Sequence, residues 1–426
     1  MIDTTANSAT LAERFARIRQ TTLQLIEPLS PEDCQVQSML EVSPTKWHLA
    51  HTTWFFETFV LEAAEREFRP FRREFRVLFN SYYEGVGEKH PRGKRGFLSR
   101  PPLREVLKYR RNVEERMQEV LAHGVLPSKL HPVVEIGLQH EQQRQELLLM
   151  DIQHVLATNP VGGAYRELKT CPPCPNVALH WRGFEEGLLE IGHQEEGFCF
   201  DNEEPRHRVW TERFELANRL VTAGEYLEFM EDGGYERPQL WLSDGWALAQ
   251  EKGWRAPLYW EKVAGEWYRR GLFGQTKVRT DLPVAHISYF EADAFARWSG
   301  ARLPTEFEWE KAAVTALAED GDLLKRGNFL EDGYLQARGA HGKGLEQLFG
   351  DLWEWTSSPY GPYPGYRPAA GALGEYNGKF MANQMVLRGG CCASPREHLR
   401  ASYRNFYAPS SRWLFGGLRL CRDSES

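Results

Sequence analysis

The chain has no run of 18 apolar residues and no apolar stretch near its N-terminus, so neither a membrane-spanning helix nor a secretory segment is expected, and the cytoplasm is the default compartment. It also lacks long runs of one charge. The net charge of −7 is spread along 426 residues, and the densest basic stretch, Arg92 to Arg100, is short; neither a nucleic-acid partner nor a membrane anchor is expected. Seven cysteines, an odd number in a large chain, make no disulfide framework, and Cys171-Pro-Pro-Cys174 has no second pair to complete a zinc site. No internal repeat or low-complexity tract stands out. With 42% hydrophobic and 12% aromatic residues, the chain can bury substantial cores, and at ~100–200 residues per domain it reads as two domains.

The first 157 residues read as four helices. One spans about Leu11 to Leu25, and Ser43-Pro44 predicts an N-cap followed by proline at the first helical position of a second, which carries Trp47, His51, Phe55 and Thr58 at helical spacing. A third runs from Pro102 to about Ala122. A fourth follows His131-Pro132 and carries Ile136, His140, Leu147 and Met150 to His154. Four such helices predict a bundle. Residues 158–181 hold Asn-Pro, Gly-Gly and Cys-Pro-Pro-Cys and predict a linker. Residues 182–426 are rich in glycine and tryptophan, with short helices predicted near Thr222 to Glu231 and Tyr289 to Ser299 and irregular backbone over much of the rest.

One pattern in the helical half is a histidine short. On a helix, position i+4 from His140 shares its face, so a histidine there would join His51 and His140 in a set of three imidazoles suited to Fe(II) with open positions. That position holds Arg144, whose guanidinium cannot ligate. His154 lies ~21 Å along the axis from His140 at ~1.5 Å per residue and cannot replace it. His48 reads as packing beside His51 or as a residue that supports a ligand from behind, and His131 as a helix-end or surface residue like His154. Glu141 and Glu146 read as a solvated charged face, or, for Glu146, as a neutraliser of Arg144 or a group that orients a ligand.

Six strings of the second half come in a telling order: Val221-Thr222-Ala223-Gly224-Glu225-Tyr226, Pro283 to Ser288, Arg302 to Glu310, Gly350-Asp351-Leu352-Trp353-Glu354-Trp355-Thr356, Val386 to Gly390, and Gly417-Leu418-Arg419-Leu420. Together they resemble the formylglycine-generating-enzyme-like fold, an α+β domain related to C-type lectins. Trp353 and Trp355 read as core residues. Cys391-Cys392 is adjacent rather than spaced, so the cysteine-pair chemistry of that family is not carried over.

Joined to a DinB-like four-helix bundle, this domain resembles the sulfoxide synthases of ergothioneine biosynthesis. The resemblance rests on Trp47 to Glu57, Phe79-Asn80-Ser81-Tyr82-Tyr83-Glu84, His140-Glu141-Gln142-Gln143 and Tyr403-Arg404-Asn405-Phe406. It implies a non-haem Fe(II) held by three histidines, with His51 and His140 in two of the ligand positions and Arg144 in the third. It implies that O2 and a thiol, cysteine or γ-glutamylcysteine, react with hercynine. Tyr82 and Tyr83 match the tyrosine region that supplies a proton, and Gln143 matches a glutamine that bonds the hercynine imidazole. Phe406, Tyr407 and Trp413 are candidates for the trimethylammonium group by cation–π attraction, and the resemblance makes Arg404 and Asn405 further candidates for substrate binding. Arg92, Lys94, Arg95 and Arg100 are candidates for the thiol's carboxylate. Tyr82-Tyr83 with Arg404-Asn405-Phe406 resembles the cysteine-using branch more closely, and ovothiol and selenoneine synthases are relatives with other regiochemistry or donors.

Arg144 leaves three readings open. The protein holds iron through His51, His140 and a substitute such as a carboxylate, Gln143 or water; or it is a loss-of-ligand form that binds substrates but little metal; or it is a non-catalytic module for a small betaine.

Overall fold

Thr10 starts the first helix: its hydroxyl accepts from the Glu13 backbone N–H while the Glu13 carboxylate reaches back, a reciprocal cap for α1 (Leu11–Ile26). Phe15, Ile18, Arg19, Thr22, Leu25 and Ile26 are its buried residues, spaced three and four apart as one helix face requires. The computed structural model describes residues 10–122, 126–167, 169–194, 196–342 and 344–424, and the chain divides into two units, Met1–Val155 and Leu156–Ser426.

In the first unit α2 spans Thr45–Phe56, α3 Leu103–Ala122 and α4 His131–Thr158. All twelve residues of α2 are buried, so this helix has no solvent face. It continues into a π-helical turn, Glu57–Leu61, whose Glu57 carboxylate accepts from the Tyr109 hydroxyl at 2.6 Å and the Phe71 N–H at 2.8 Å. The expected cap at Ser43 is not the one formed. Pro44 is itself the N-cap of α2, and Ser43 instead donates its N–H to Asp151 and accepts from Arg95.

One buried carboxylate ties the helices together. Glu141 of α4 accepts from Arg19 and Thr22 of α1 and from Arg110 of α3, and the same two arginines reach Thr53 and Thr52 of α2. The solvated face expected around Glu141 is thus corrected: its residue and Glu146 are both buried, because α4 is enclosed over most of its circumference. His154, expected at a helix end or on the surface, is buried, with Nδ1 2.6 Å from the Ser38 hydroxyl. His131 is exposed at the start of α4.

The second unit is sheet-rich and irregular. Its strands are β1 (Trp181–Phe184), β2 (Gly187–Ile191), β3 (His207–Thr211), β4 (Phe214–Ala217), β5 (Trp260–Val263), β6 (Glu266–Gly271), β7 (Gly274–Lys277), β8 (Trp353–Pro359), β9 (Met385–Arg388), β10 (Asn405–Tyr407), β11 (Gly416–Gly417) and β12 (Cys421–Asp423). The sheets run β1-β4-β12, β10-β9-β8-β11, β2-β3 and β5-β6-β7, with only β11 and β8 parallel among these pairs. The expected helices appear as α5 (Ala223–Glu231), capped by Thr222, and α7 (Tyr289–Trp298), capped by Ser288. Two more, α6 (Ser243–Lys252) and α8 (Glu306–Glu319), occupy stretches expected to be irregular. The signal for α8 was present in Thr305-x-x-Glu308, which closes a reciprocal cap.

Trp309, Trp353 and Trp355 fill the centre of this unit, and buried ion pairs lock its layers: Arg419 with Glu354, Arg388 with Glu306 and Glu310, Arg412 with Glu291. Among the described residues no helix is long and apolar enough to cross a membrane.

Candidate functional site

One face of α2 carries three ring N–H groups aimed at one short segment. The Trp47 indole donates to the Leu78 carbonyl at 3.1 Å, His51 Nδ1 lies 2.7 Å from the Phe79 carbonyl, and the Trp54 indole donates to the Arg76 carbonyl at 3.1 Å. Spacings of four and three along a helix put these rings in one row. A carbonyl oxygen only accepts, so Nδ1 of His51 carries the proton and Nε2 presents a lone pair. That Nε2 is buried and has no hydrogen-bond partner among the described residues. Trp47 and Trp54 stack on the His51 ring at centroid distances of 4.6 and 5.6 Å, fixing its plane.

His140 of α4 meets this ring edge-on, with centroids 4.9 Å apart and planes at 90°. The close approach is permitted by Gly137, one turn earlier on α4, where a Cβ would stand 2.6 Å from the Phe56 ring and 2.9 Å from Phe55. Burial, reinforced by the Arg144 charge, holds both imidazoles well below the usual histidine range, so both are neutral at physiological pH. Neutral imidazoles, one with a bare lone pair and oriented from behind by a carbonyl, are what a metal requires.

The third position does not fit. Arg144 donates its Nε–H to His140 Nε2 at 3.2 Å, occupying the lone pair that would ligate, and its guanidinium carbon lies 5.9 Å from the Trp47 ring centroid. Among the described residues Arg144 pairs with no carboxylate, so the Glu146 neutraliser expected from sequence is not formed. Nor does any group of three or more His, Cys, Asp or Glu able to hold a metal ion occur among the described residues. The other acidic side chains nearest in sequence are committed, Glu141 to Arg19 and Arg110, and Asp151 to His48 Nε2 at 2.8 Å and the Ser43 N–H. A dication ~4 Å from a guanidinium would be opposed by roughly 8 kcal/mol at an effective dielectric of ~20. A three-histidine iron is therefore not what these residues, as placed, are built to hold.

Around the two histidines the other expected residues take distinct places. Tyr83 is buried against Trp54, Phe55 and Phe59, and since Trp54 also stacks on His51 and Phe55 packs at a tilt against His140, Tyr83 stands one ring away from both imidazoles. The half-buried Tyr82 lies over it, with centroids at 4.6 Å and hydroxyls 3.4 Å apart. Arg95 is buried flat on Trp47, its guanidinium carbon 3.4 Å from the ring centroid, and donates to the Ser43 and Ser81 hydroxyls. Burial and the charges of Arg92 and Arg144 push its pKa down. Arg92, Lys94 and Arg100 are exposed. Gln143 is half-buried beside Arg144, on the less enclosed side of α4. His48 is buried with Nε2 bonded to Asp151.

Trp47, Trp54, Phe79 and Asp151 were not expected from the sequence to shape this site. The Trp47-x3-His51-x2-Trp54 spacing was the available signal for the two tryptophans; Phe79 acts through a backbone carbonyl, which a sequence does not display.

The remaining expected residues belong to the second unit. Arg404 is buried, forked onto both Glu306 oxygens at 2.9 Å and bonded to the Asn202 and Gly361 carbonyls, so its guanidinium serves the core rather than an open site. Asn405 is buried on β10. Phe406 is half-buried and stacks on Tyr360 at 4.0 Å, and the half-buried Tyr407 meets Trp413 edge-on at 6.0 Å.

Comparison with known proteins covers both units. Residues 14–155 match the DinB superfamily, and residues 183–340 and 335–424 match the sulfatase-modifying factor enzyme 1-like domain. The hercynine oxygenase of Mycobacterium tuberculosis is 32% identical over 97% of this chain and 98% of that protein. That of Mycolicibacterium smegmatis is 31% identical over 97% of this chain and 99% of its own length. The ergothioneine biosynthesis protein 1 of Schizosaccharomyces pombe is 26% identical over 53% of this chain and 28% of that protein.

Proposed function

Because the chain belongs to the hercynine oxygenase family, with relatives aligned to almost its whole length, we propose that its reaction is the O2-dependent joining of a thiol to hercynine in ergothioneine biosynthesis. In this reaction the thiol S–H and the imidazole C2–H are lost, a C–S bond forms, one oxygen atom ends on sulfur as a sulfoxide and the other leaves as water. Cysteine is the favoured thiol and γ-glutamylcysteine the second choice. The observation that carries the reading is the pair of neutral imidazoles inside the bundle, His51 stacked on Trp47 and met edge-on by His140.

Fe(II) supplies the oxygen chemistry in the family when bound; His51 offers a bare Nε2 lone pair to it, His140 would offer its own only once Arg144 releases it, and the guanidinium at 144 does not fit. The chain's other residues bind and orient. Arg95, which makes no ion pair with a carboxylate among the described residues, is the candidate for the thiol's carboxylate. Tyr83 and Tyr82 are candidates to deliver a proton, since a phenol stays protonated and uncharged at neutral pH. Phe406, Tyr407 and Trp413 are candidates for the trimethylammonium group.

The test is anaerobic loading with Fe(II), addition of hercynine, cysteine and O2, and mass spectrometry for the sulfoxide, on the protein and on Arg144→His. Sulfoxide from either supports the reading. No product from either, together with no hercynine binding by calorimetry, removes it. In the same assay Arg95→Ala is expected to raise the KM for the thiol about 10-fold or more, the value of a charge-assisted hydrogen bond of ~1.5–3 kcal/mol. An unchanged KM removes Arg95 from the site.

A further inference from the structure

Resting on the family reading of this pocket, we infer that Arg144 is a built-in competitor for the metal. It occupies the cation's place beside His140, so that this chain binds its organic ligand without metal and loads a divalent ion only weakly. Three observations meet at this residue. Its Nε–H lies 3.2 Å from His140 Nε2, on the same nitrogen whose lone pair would face the ion. The His51 Nε2 lone pair, 4.9 Å away ring to ring, remains bare, so half of a metal site is preserved while the other half is closed by a cation. No carboxylate among the described residues neutralises the guanidinium or stands in as a third ligand.

Position matters as much as charge. Arg144 sits one turn beyond His140 on the same face of α4, with its guanidinium carbon 5.9 Å from the Trp47 ring that covers His51. A guanidinium at that point is held beside His140 by its Nε–H bond. To admit an ion it must give up the His140 bond and turn outward. Replacing it by imidazole both removes the positive charge and adds a ligand on the correct face. Changes in groups that merely support ligands alter metal affinity ~10–100-fold, so replacing the ligand position itself should exceed that range.

Calorimetric titration of the full chain with Co(II), as an oxygen-stable probe, and separately with hercynine in the presence of chelator, tests this. The wild type is expected to take up less than about 0.1 equivalent of Co(II) at concentrations that saturate Arg144→His, whose affinity should be at least ~100-fold higher and accompanied by visible d–d absorption. Hercynine should bind the chelated wild type. Arg144→Gln, which removes the charge without adding an imidazole, guards against misfolding of the histidine variant and should raise Co(II) affinity at least about 10-fold. The inference is overturned by stoichiometric Co(II) in the wild type within threefold of the Arg144→His affinity, by no gain in a folded Arg144→His or Arg144→Gln, or by hercynine binding that chelator abolishes. Hercynine binding to no form, with or without metal, would instead remove the functional reading and leave the Co(II) comparison intact.

Discussion

At the scale of single residues, the bundle depends on one carboxylate. Burial pushes the Glu141 carboxyl up, but Arg110 and Arg19 outweigh it and hold the pKa at about 2, below its ordinary 4.5. A depressed folded pKa contributes stability that is fully present above pH 4.5 and is lost as pH falls towards about 2. Glu141→Gln leaves the two buried guanidinium groups of Arg19 and Arg110 with Glu114 as their one remaining anion, so it is expected to cost ~3 kcal/mol at pH 7 and to flatten the acid dependence of stability across that window. Urea unfolding followed by helical circular dichroism at several pH values measures this; a loss under about 1 kcal/mol would show that the network adds little. Nothing in the sequence distinguishes Glu141 from Glu146, because two carboxylates on a polar-looking helix gain different roles only when other helices close over them. His51, His140 and Arg144 were legible, since helical spacing alone puts 140 and 144 on one face.

At the scale of elements, the site exists because α2 and α4 come close. The contact is made at Gly137, where the absence of a side chain admits the Phe55 and Phe56 rings one turn from His140. Gly137→Ala would force those rings aside, and the expected cost is ~1–3 kcal/mol, the usual range for overpacking, with weaker hercynine binding because Phe55 also packs on His140. Thermal unfolding and ligand calorimetry report the two effects separately. A variant as stable as the parent would mean the helices repack without strain. The preference of alanine over glycine in a helix, ~1 kcal/mol, acts in the opposite direction and sets the scale a clash must exceed. Helix α2 shows why element-level reading from sequence is partial: its one expected face is real for Trp47, His51 and Phe55, yet every residue of the helix is buried, and periodicity says nothing about a helix enclosed on all sides.

At the scale of the whole molecule, two units with separate cores should not unfold as one two-state system. Arg419 and Glu354 are both fully buried in the second unit, where Arg419 forks onto both carboxylate oxygens and bonds two carbonyls. Arg419→Met strands a buried carboxylate, and scanning calorimetry is expected to show one transition lowered, by ~3–5 kcal/mol equivalent, while the bundle's transition stays in place. A common shift of all heat absorption would contradict independent units. The sequence by itself determined the helical half, the glycine- and tryptophan-rich half, the family and the odd residue at 144, because helical period, turn residues and ordered motifs are local properties written along the chain. Only the tertiary structure decided that Arg144 bonds His140, that His51 keeps a bare Nε2 because Phe79 fixes its other nitrogen, and that Arg404 belongs to a core ion pair. Those outcomes depend on which distant groups burial brings together, and the partner of a buried polar atom is set by packing in three dimensions rather than by its neighbours in sequence.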